Sequence, residues 1–379
     1  MIVEKNRRIL LVTNYRPDKQ FSMLRFSQLL TLKDESELET EEIYPQPIFS
    51  KFFKNGKSGK WAAYTDKYLV FKNHLKNRLQ KRYDIIHITD QSNSVYVSEI
   101  KKWSNTPTLV TCHDLIAIRQ AKKEFKEAPK TSTTGKLLQS WIYKSLNKAD
   151  YYACDSEQTK NDLNRIINTS VSKSKVIHLG TEFKLQNLDK RSIIKSNLPF
   201  DPCKMNFILH VGSSAWYKNR KAVFRCFINA QKCFPAYNLK LVLVGPEPQK
   251  EELDDQLSTW IKSNPNAILT FKNLPKNTLG KLYKYAKALV FPSFIEGFGW
   301  PPMEAAVRGC PVISTRTGAI ADLLGNIAIY VEAGNQASID QSVQELLRYP
   351  ESKRNTISLP THEDCRTQYF DLYEQIFAA

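Results

Sequence analysis

Apolar and polar positions along the chain fall into two interleaved rhythms. Short β-branched runs at residues 9–13, 84–89, 108–112, 151–154 and 175–178 read as buried strands, and the amphipathic stretches between them read as helices. A second set of runs follows at residues 207–211, 239–244, 268–271, 288–291 and 311–314, with a last strand-like run at 329–331. Strands alternating with helices over most of 379 residues predict an α/β chain with parallel sheets. That length exceeds one hydrophobic core, so two Rossmann-like, doubly wound domains are expected at residues 1–185 and 205–360. The segment 186–204 carries Pro199 and Pro202 and no sustained period, which marks a linker. In the closing segment 361–379, Tyr369, Leu372, Tyr373 and Ile376 recur at helical spacing. Doubly wound domains bind ligands beyond the carboxyl ends of their strands, in a central cleft where the two sheets face each other.

Charge adds a partner to this picture. The formal charge of +17 calls for a polyanion: nucleic acid, an anionic membrane or phosphorylated substrates. Ten Lys and Arg between Lys51 and Arg82 face the single acid Asp66. Trp61, Tyr64, Tyr68, Phe71, Leu75 and Leu79 recur there every three or four positions, after Phe49, Phe52 and Phe53. This predicts a basic amphipathic helix over 61–79. Its stripe either packs on the sheet or, with the rest of residues 49–82, lies on an anionic leaflet. The amino-terminal apolar run is too short to span a bilayer and lacks a small-residue cleavage site. A cytoplasmic protein is expected, with any membrane contact peripheral. The seven cysteines are scattered without a C-x-x-C pair and read as reduced thiols.

The chemistry concentrates in residues 288–313, ALVFPSFIEGFGWPPMEAAVRGCPVI, a strand, glycine-containing loop, helix and next strand. Pro301 and Pro302 suit a helix entry, and Gly297 and Gly299 let the backbone approach a ligand. A helix start beside exposed N–H groups is a site for phosphate, and Glu296 and Glu304 can accept bonds from sugar or ribose hydroxyls.

The run PSFIEGFGWPPMEA resembles the hallmark of the group-1 (GT4-like) retaining glycosyltransferases of the GT-B fold, whose two glutamates stand eight positions apart as Glu296 and Glu304 do. Residues 154–163, 178–183, 277–288 and 315–325 resemble the same family, with Ala321 and Asp322 where proline and glutamate are usual, and the closing segment resembles the helix that returns to the first domain. In VGSSAWYKNR, residues 211–220, Lys218 matches the lysine that pairs with the donor diphosphate. Ser213 and Tyr217 stand where many relatives have an arginine, leaving Arg220 or another cation to substitute.

The resemblance implies an acceptor-binding first domain and a second domain that binds a UDP- or GDP-type nucleotide sugar. The donor would be held by Gly212, Lys218, Asn219, Glu296, Gly297, Phe298, Gly299 and Glu304. It further implies retention of anomeric configuration and transfer of a hexose or N-acetylhexosamine to a glycan or lipid-linked acceptor, as in polysaccharide biosynthesis. Lys218 and Glu296 would be joined in catalysis by His113, in an H-D pair at a strand end. Asp114, with Arg16 and Lys19 in a loop that lacks the usual glycines, would face the acceptor. The sequence holds no D-x-D and no His/Cys cluster, so no metal or other cofactor is expected. A catalytically silent relative acting as a partner subunit is the alternative. A nucleic-acid-binding protein rests on charge alone and lacks a recognisable module, so no nucleic-acid partner is expected.

Overall fold

The computed structural model describes residues 7–31, 38–53, 56–167, 173–183, 198–348 and 357–379. The chain divides into two compact units. The first is Met1–Phe125, Lys130–Leu179 and His362–Ala379, and the second is Lys126–Pro129 and Gly180–Thr361. Residues 186–197 of the expected linker lie outside the described residues. Residues 181–183 pack with the second unit: Thr181 bridges Thr361 and donates its N–H to Pro360 at 2.8 Å, and Phe183 meets Tyr283 edge-on. The changeover therefore falls at Leu179, six residues before the expected limit of 185.

The first unit is a six-stranded parallel sheet of β1 (Arg7–Val12), β2 (Leu38–Ile43), β3 (Ile85–Ile88), β4 (Thr108–Cys112), β5 (Tyr151–Cys154) and β6 (Ser174–Val176), in the order β2-β1-β3-β4-β5-β6. β3 and β4 are buried at every position, as parallel strands covered on both faces must be. β2 is absent from the hydrophobic pattern because its sequence is LETEEI. It survives as an edge strand because its acids meet bases from neighbouring elements. Glu39 and Glu41 pair with Arg8 at 3.2 and 3.3 Å, Glu41 also with Arg78, and Glu42 with Arg16 at 2.6 Å.

The helix His362–Phe377 belongs to the first unit, with Tyr369 and Tyr373 fully buried. Their hydroxyls lie 2.9 Å from Thr111 Oγ1 and 2.7 Å from His87 Nδ1. Burial depresses His87 to about 3, so it sits in this core as a neutral ring.

The basic stretch does not form one helix. It folds as a helix Gly56–Thr65, a π-helical turn Asp66–Val70 and a helix Phe71–Arg78. The wider turn shifts the phase of the stripe by about 100°. Phe71 and Leu75 consequently enter the core, while Trp61 and Leu69 are exposed.

The second unit is also six parallel strands: β7 (Phe207–Val211), β8 (Lys240–Val244), β9 (Ile268–Phe271), β10 (Ala288–Phe291), β11 (Val312–Ser314) and β12 (Ile329–Tyr330). Their order is β12-β11-β10-β7-β8-β9, so the winding reverses between β7 and β10. In the first unit it reverses between β1 and β3. Loops leaving two such strands diverge to opposite faces and leave a crevice suited to a ligand. No helix among the described residues is long and apolar enough to cross a membrane. All seven cysteines are free, with Cys203 and Cys233 exposed and the other five buried.

Candidate active site

At the reversal in the second unit, the loop after β7 and the loop after β10 are pinned to each other. The Phe294 N–H donates to the Tyr217 carbonyl at 2.8 Å, and the Trp216 and Phe294 rings stack at 6.2 Å. A 3₁₀ turn at Trp216–Lys218 then aims Lys218 back across the reversal. Its ammonium donates to both Glu296 carboxylate oxygens, at 2.8 and 2.9 Å, and lies 5.0 Å from the centre of the Phe291 ring. Both side chains are largely buried, at 14% and 7% exposure. Asn219 is left-handed and donates to the carbonyls of Pro292 (3.0 Å) and Ala333 (2.8 Å), which makes it a tie between loops. Gly212 opens the first of these loops and donates its N–H to Val244 on β8 at 3.0 Å.

The loop after β10 is closely packed. Gly299, at φ 93°, caps the helix Trp300–Val307, and a side chain there would meet Ile320 at 2.7 Å. Gly318, at φ 60°, faces the Gly297 carbonyl so closely that a Cβ would lie 2.6 Å from it. Phe298 is buried and its carbonyl accepts the Ala319 N–H at 3.2 Å. With Pro301 and Pro302 inside its first turn, the helix begins where the sequence places it. Glu304, on this helix, is 5% exposed and accepts the Tyr283 hydroxyl at 2.9 Å. Lys218, Asn219 and Glu296 thus come together directly, and Glu304 stands on the helix that follows.

Arg220 does not stand free as a substitute cation. It is buried, donates to the Pro246 carbonyl at 2.9 Å, and its Nε lies 3.3 Å from Glu252. Two groups that the sequence did not mark lie close by in the fold. His210, near the end of β7, donates Nδ1–H to Val290 at 2.9 Å, while its Nε2 is buried without a partner among the described residues. Burial, aided by the charges of Arg220 and Lys218, depresses it to about 3, so Nε2 is a neutral acceptor. Ser293 Oγ, in the loop after β10, is likewise buried and unpartnered. A histidine and a serine inside apolar runs carry no sequence signal that separates them from ordinary core positions.

In the first unit, His113 leaves the end of β4 and is 4% exposed. Nδ1 lies 2.7 Å from the Asp155 carboxylate and Nε2 lies 2.9 Å from the Thr89 carbonyl. Burial alone would lower it, but the Asp155 carboxylate outweighs that and raises it to about 9. In this structure both ring nitrogens are engaged inside the unit, Nδ1 by Asp155 and Nε2 by the Thr89 carbonyl. Asp114 accepts the Ile116 N–H at 3.0 Å and starts a short helix. Arg16 donates to Glu42 at 2.6 Å and lies over the Tyr44 ring at 4.5 Å. Lys19 is exposed and left-handed, at φ 52°. The reversal itself is lined by Asn14, which donates to Asp90 at 2.6 Å. Among the described residues, no three of His, Cys, Asp and Glu gather as metal ligands.

Comparison with known proteins agrees with this geometry. Residues 195–358 match the family described as glycosyl transferases group 1, and residues 28–184 match glycosyltransferase family 4. An uncharacterized glycosyltransferase of Methanocaldococcus jannaschii is 26% identical over 70% of this chain and 66% of its own length. The O-antigen chain mannosyltransferase of Salmonella typhimurium is 30% identical over 42% of this chain and 44% of its own. The alignments thus span just under two thirds and under half of these relatives. Sucrose-phosphate synthase from Thermosynechococcus elongatus shares the fold, with a TM-score of 0.73 at 19% identity over 98% of this chain and 99% of that one. The chain belongs to the group-1, GT4-like glycosyltransferases of the GT-B fold.

Proposed function

We propose that this protein is a retaining, metal-independent hexosyl- or N-acetylhexosaminyltransferase that draws on a nucleoside diphosphate sugar held in the second unit. The acceptor is a glycan or a lipid-linked acceptor engaged by the first unit. The observation that carries this reading is the Lys218–Glu296 pair spanning the reversal between β7 and β10. A diphosphate there competes for the ammonium. As Lys218 turns to it, the Glu296 carboxylate is released to accept hydrogen bonds from the sugar hydroxyls. The helix start adds its dipole and the loop at residues 297–299 its N–H groups to the same charge, Pro301 and Pro302 having none to give, and Glu304, oriented by Tyr283, holds the ribose.

In the transfer itself, the acceptor oxygen bonds to the anomeric carbon on the face from which the diphosphate departs. The carbon–oxygen bond to the diphosphate breaks, and the departing phosphate oxygen takes the acceptor proton. Lys218 neutralises charge that grows as the bond breaks, so it favours the transition state over the bound donor. His113 serves as a positioning residue, fixing the Thr89 carbonyl and Asp155 beside the Asn14–Asp90 pair.

The mannosyl activity named for the Salmonella relative supports a hexose donor. Titration calorimetry with UDP and GDP, on wild type and Lys218→Ala, tests the donor site. The reading requires one nucleotide to bind and the substitution to weaken it. Equal binding by both proteins, or none by either, overturns it. Product NMR then reads the anomeric configuration, and unchanged turnover in EDTA supports the metal-free route.

A further inference from the structure

The basic aromatic stretch splits into two halves of opposite fate, and the split identifies a surface. In the second half four of the six cations are paired: Lys67 with Asp18 at 2.9 Å, Lys72 with Glu99 at 3.1 Å, and Arg78 and Lys81 with Glu41, which leaves Lys76 and Arg82. In the first half Lys51, Lys57 and Lys60 are exposed and make no ion pair among the described residues. Exposed aromatics stand among them: Phe49 at 45%, Phe52 at 81%, Phe53 at 52% and Trp61 at 61%, beside Ile48 at 44%. The one acid of the stretch is withdrawn from this surface. Asp66 is fully buried, where its carboxylate accepts the N–H groups of Phe49 (2.8 Å) and Ser50 (3.1 Å) and the Tyr15 hydroxyl (3.1 Å). That carboxylate clamps the Phe49–Lys51 turn onto the π-helical turn, so the aromatics project from a braced support.

We infer that residues 48–53 and 56–61 of the first unit form a docking surface for an anionic lipid bilayer. The aromatic side chains insert at the boundary between headgroups and acyl chains, and Lys51, Lys57 and Lys60 lie against the lipid phosphates. Charge complementarity selects this occupant. A second copy of the chain would bring the same uncompensated lysines against each other, whereas an anionic leaflet meets each one and accepts the aromatics between them. The inference does not depend on which sugar is transferred.

The test is co-sedimentation of the full chain with vesicles of phosphatidylcholine alone, or of phosphatidylcholine mixed with phosphatidylglycerol. The protein should partition to the mixed vesicles and be released by salt. Each lysine contributes about fivefold, so Lys51→Glu, Lys57→Glu and Lys60→Glu together should lower partitioning by at least about a hundredfold. Phe52→Ser with Phe53→Ser should lower it about tenfold or more without altering the melting temperature. A charge-matched control in the second unit, Lys232→Glu, Lys262→Glu and Lys272→Glu, should leave most of the binding in place. Several outcomes overturn the inference: equal binding to both vesicle types, a control that loses as much as the docking variant, or a Phe52/Phe53 variant that binds like wild type. So does self-association through these residues in light scattering without vesicle binding.

Discussion

Each sheet's first strand runs into the same local device, a one-turn 3₁₀ helix closed by a left-handed residue. After β1 it is Arg16–Asp18 closed by Lys19 at φ 52° and ψ 36°, and after β7 it is Trp216–Lys218 closed by Asn219 at φ 52° and ψ 40°. Each turn carries a cation held by a glutamate, and they differ in where the acid comes from. Arg16 reaches sideways to Glu42 on β2, on the flank of β1 away from the reversal. Lys218 reaches across the reversal to Glu296, in the loop after β10. A ligand entering a reversal meets the second pair and finds the first already turned aside. One backbone device thus ties two loops across the reversal in one unit and braces an edge strand in the other.

The largest effect expected from this contrast is on transfer. Removing one preorganised charge from a departing diphosphate costs roughly 10²–10³-fold in kcat, so Lys218→Ala should lose about that much in a steady-state assay. Arg16→Ala in the same assay should stay within about threefold of wild type. Comparable losses from both would erase the distinction between the two turns.

Stability should respond most to His113. Leaving Asp155 buried without its cation costs roughly 3–5 kcal/mol, so His113→Gln should lower the unfolding free energy by that order at neutral pH. The pair also sets a pH window. Because His113 is raised in the fold to about 9 from an ordinary value of about 6.5, its stabilisation is complete below about 6.5 and is lost as pH rises through about 9. Urea unfolding of both proteins from pH 6 to pH 10 should show the curves converging on the alkaline side. A gap that stays constant across this range would mean that His113 is neutral in the fold.

Glu296→Gln should divide binding from chemistry. With its competitor gone, Lys218 is freer to meet the diphosphate, so affinity for the nucleotide alone should hold or rise. Transfer should fall roughly ten- to a hundredfold through the lost charged acceptor for sugar hydroxyls. A parallel loss of nucleotide affinity would place Glu296 on the diphosphate side of the site.

How much of this was legible in the sequence depends on whether a residue's role follows from its neighbours in the chain. The buried strands, the helix entry at Pro301 and Pro302, and the closing helix are local patterns, and the structure carries them at those positions. β2 is non-local, since LETEEI becomes a strand only through Arg8, Arg16 and Arg78 from other elements. The same holds for Asp66, which looked like a lone acid on a basic helix and proves to be the buried clamp of the preceding turn. A wider turn that rotates half a stripe has no signature in residue spacing, so the expected helix over 61–79 divides into an inward and an outward half. His113 was marked by its position at a strand end, but Asp155, which engages its Nδ1, lies 42 residues away.

The smallest expected effect tests the brace itself. Arg16 and Glu42 are 31% and 23% exposed, so solvent screens their attraction and the pair should contribute only about 0.5–1 kcal/mol. Arg16→Ala should therefore lower the unfolding free energy by that amount, and the loss should shrink as salt is raised. Thr13, whose hydroxyl donates to the same Glu42 oxygen at 2.8 Å, should keep the end of β2 in register in the variant. The opposite result would be unchanged stability together with a tenfold rise in KM for the acceptor alone. That would make Arg16 a ligand-facing cation like Lys218, and the two turns would then be alike in use as well as in backbone.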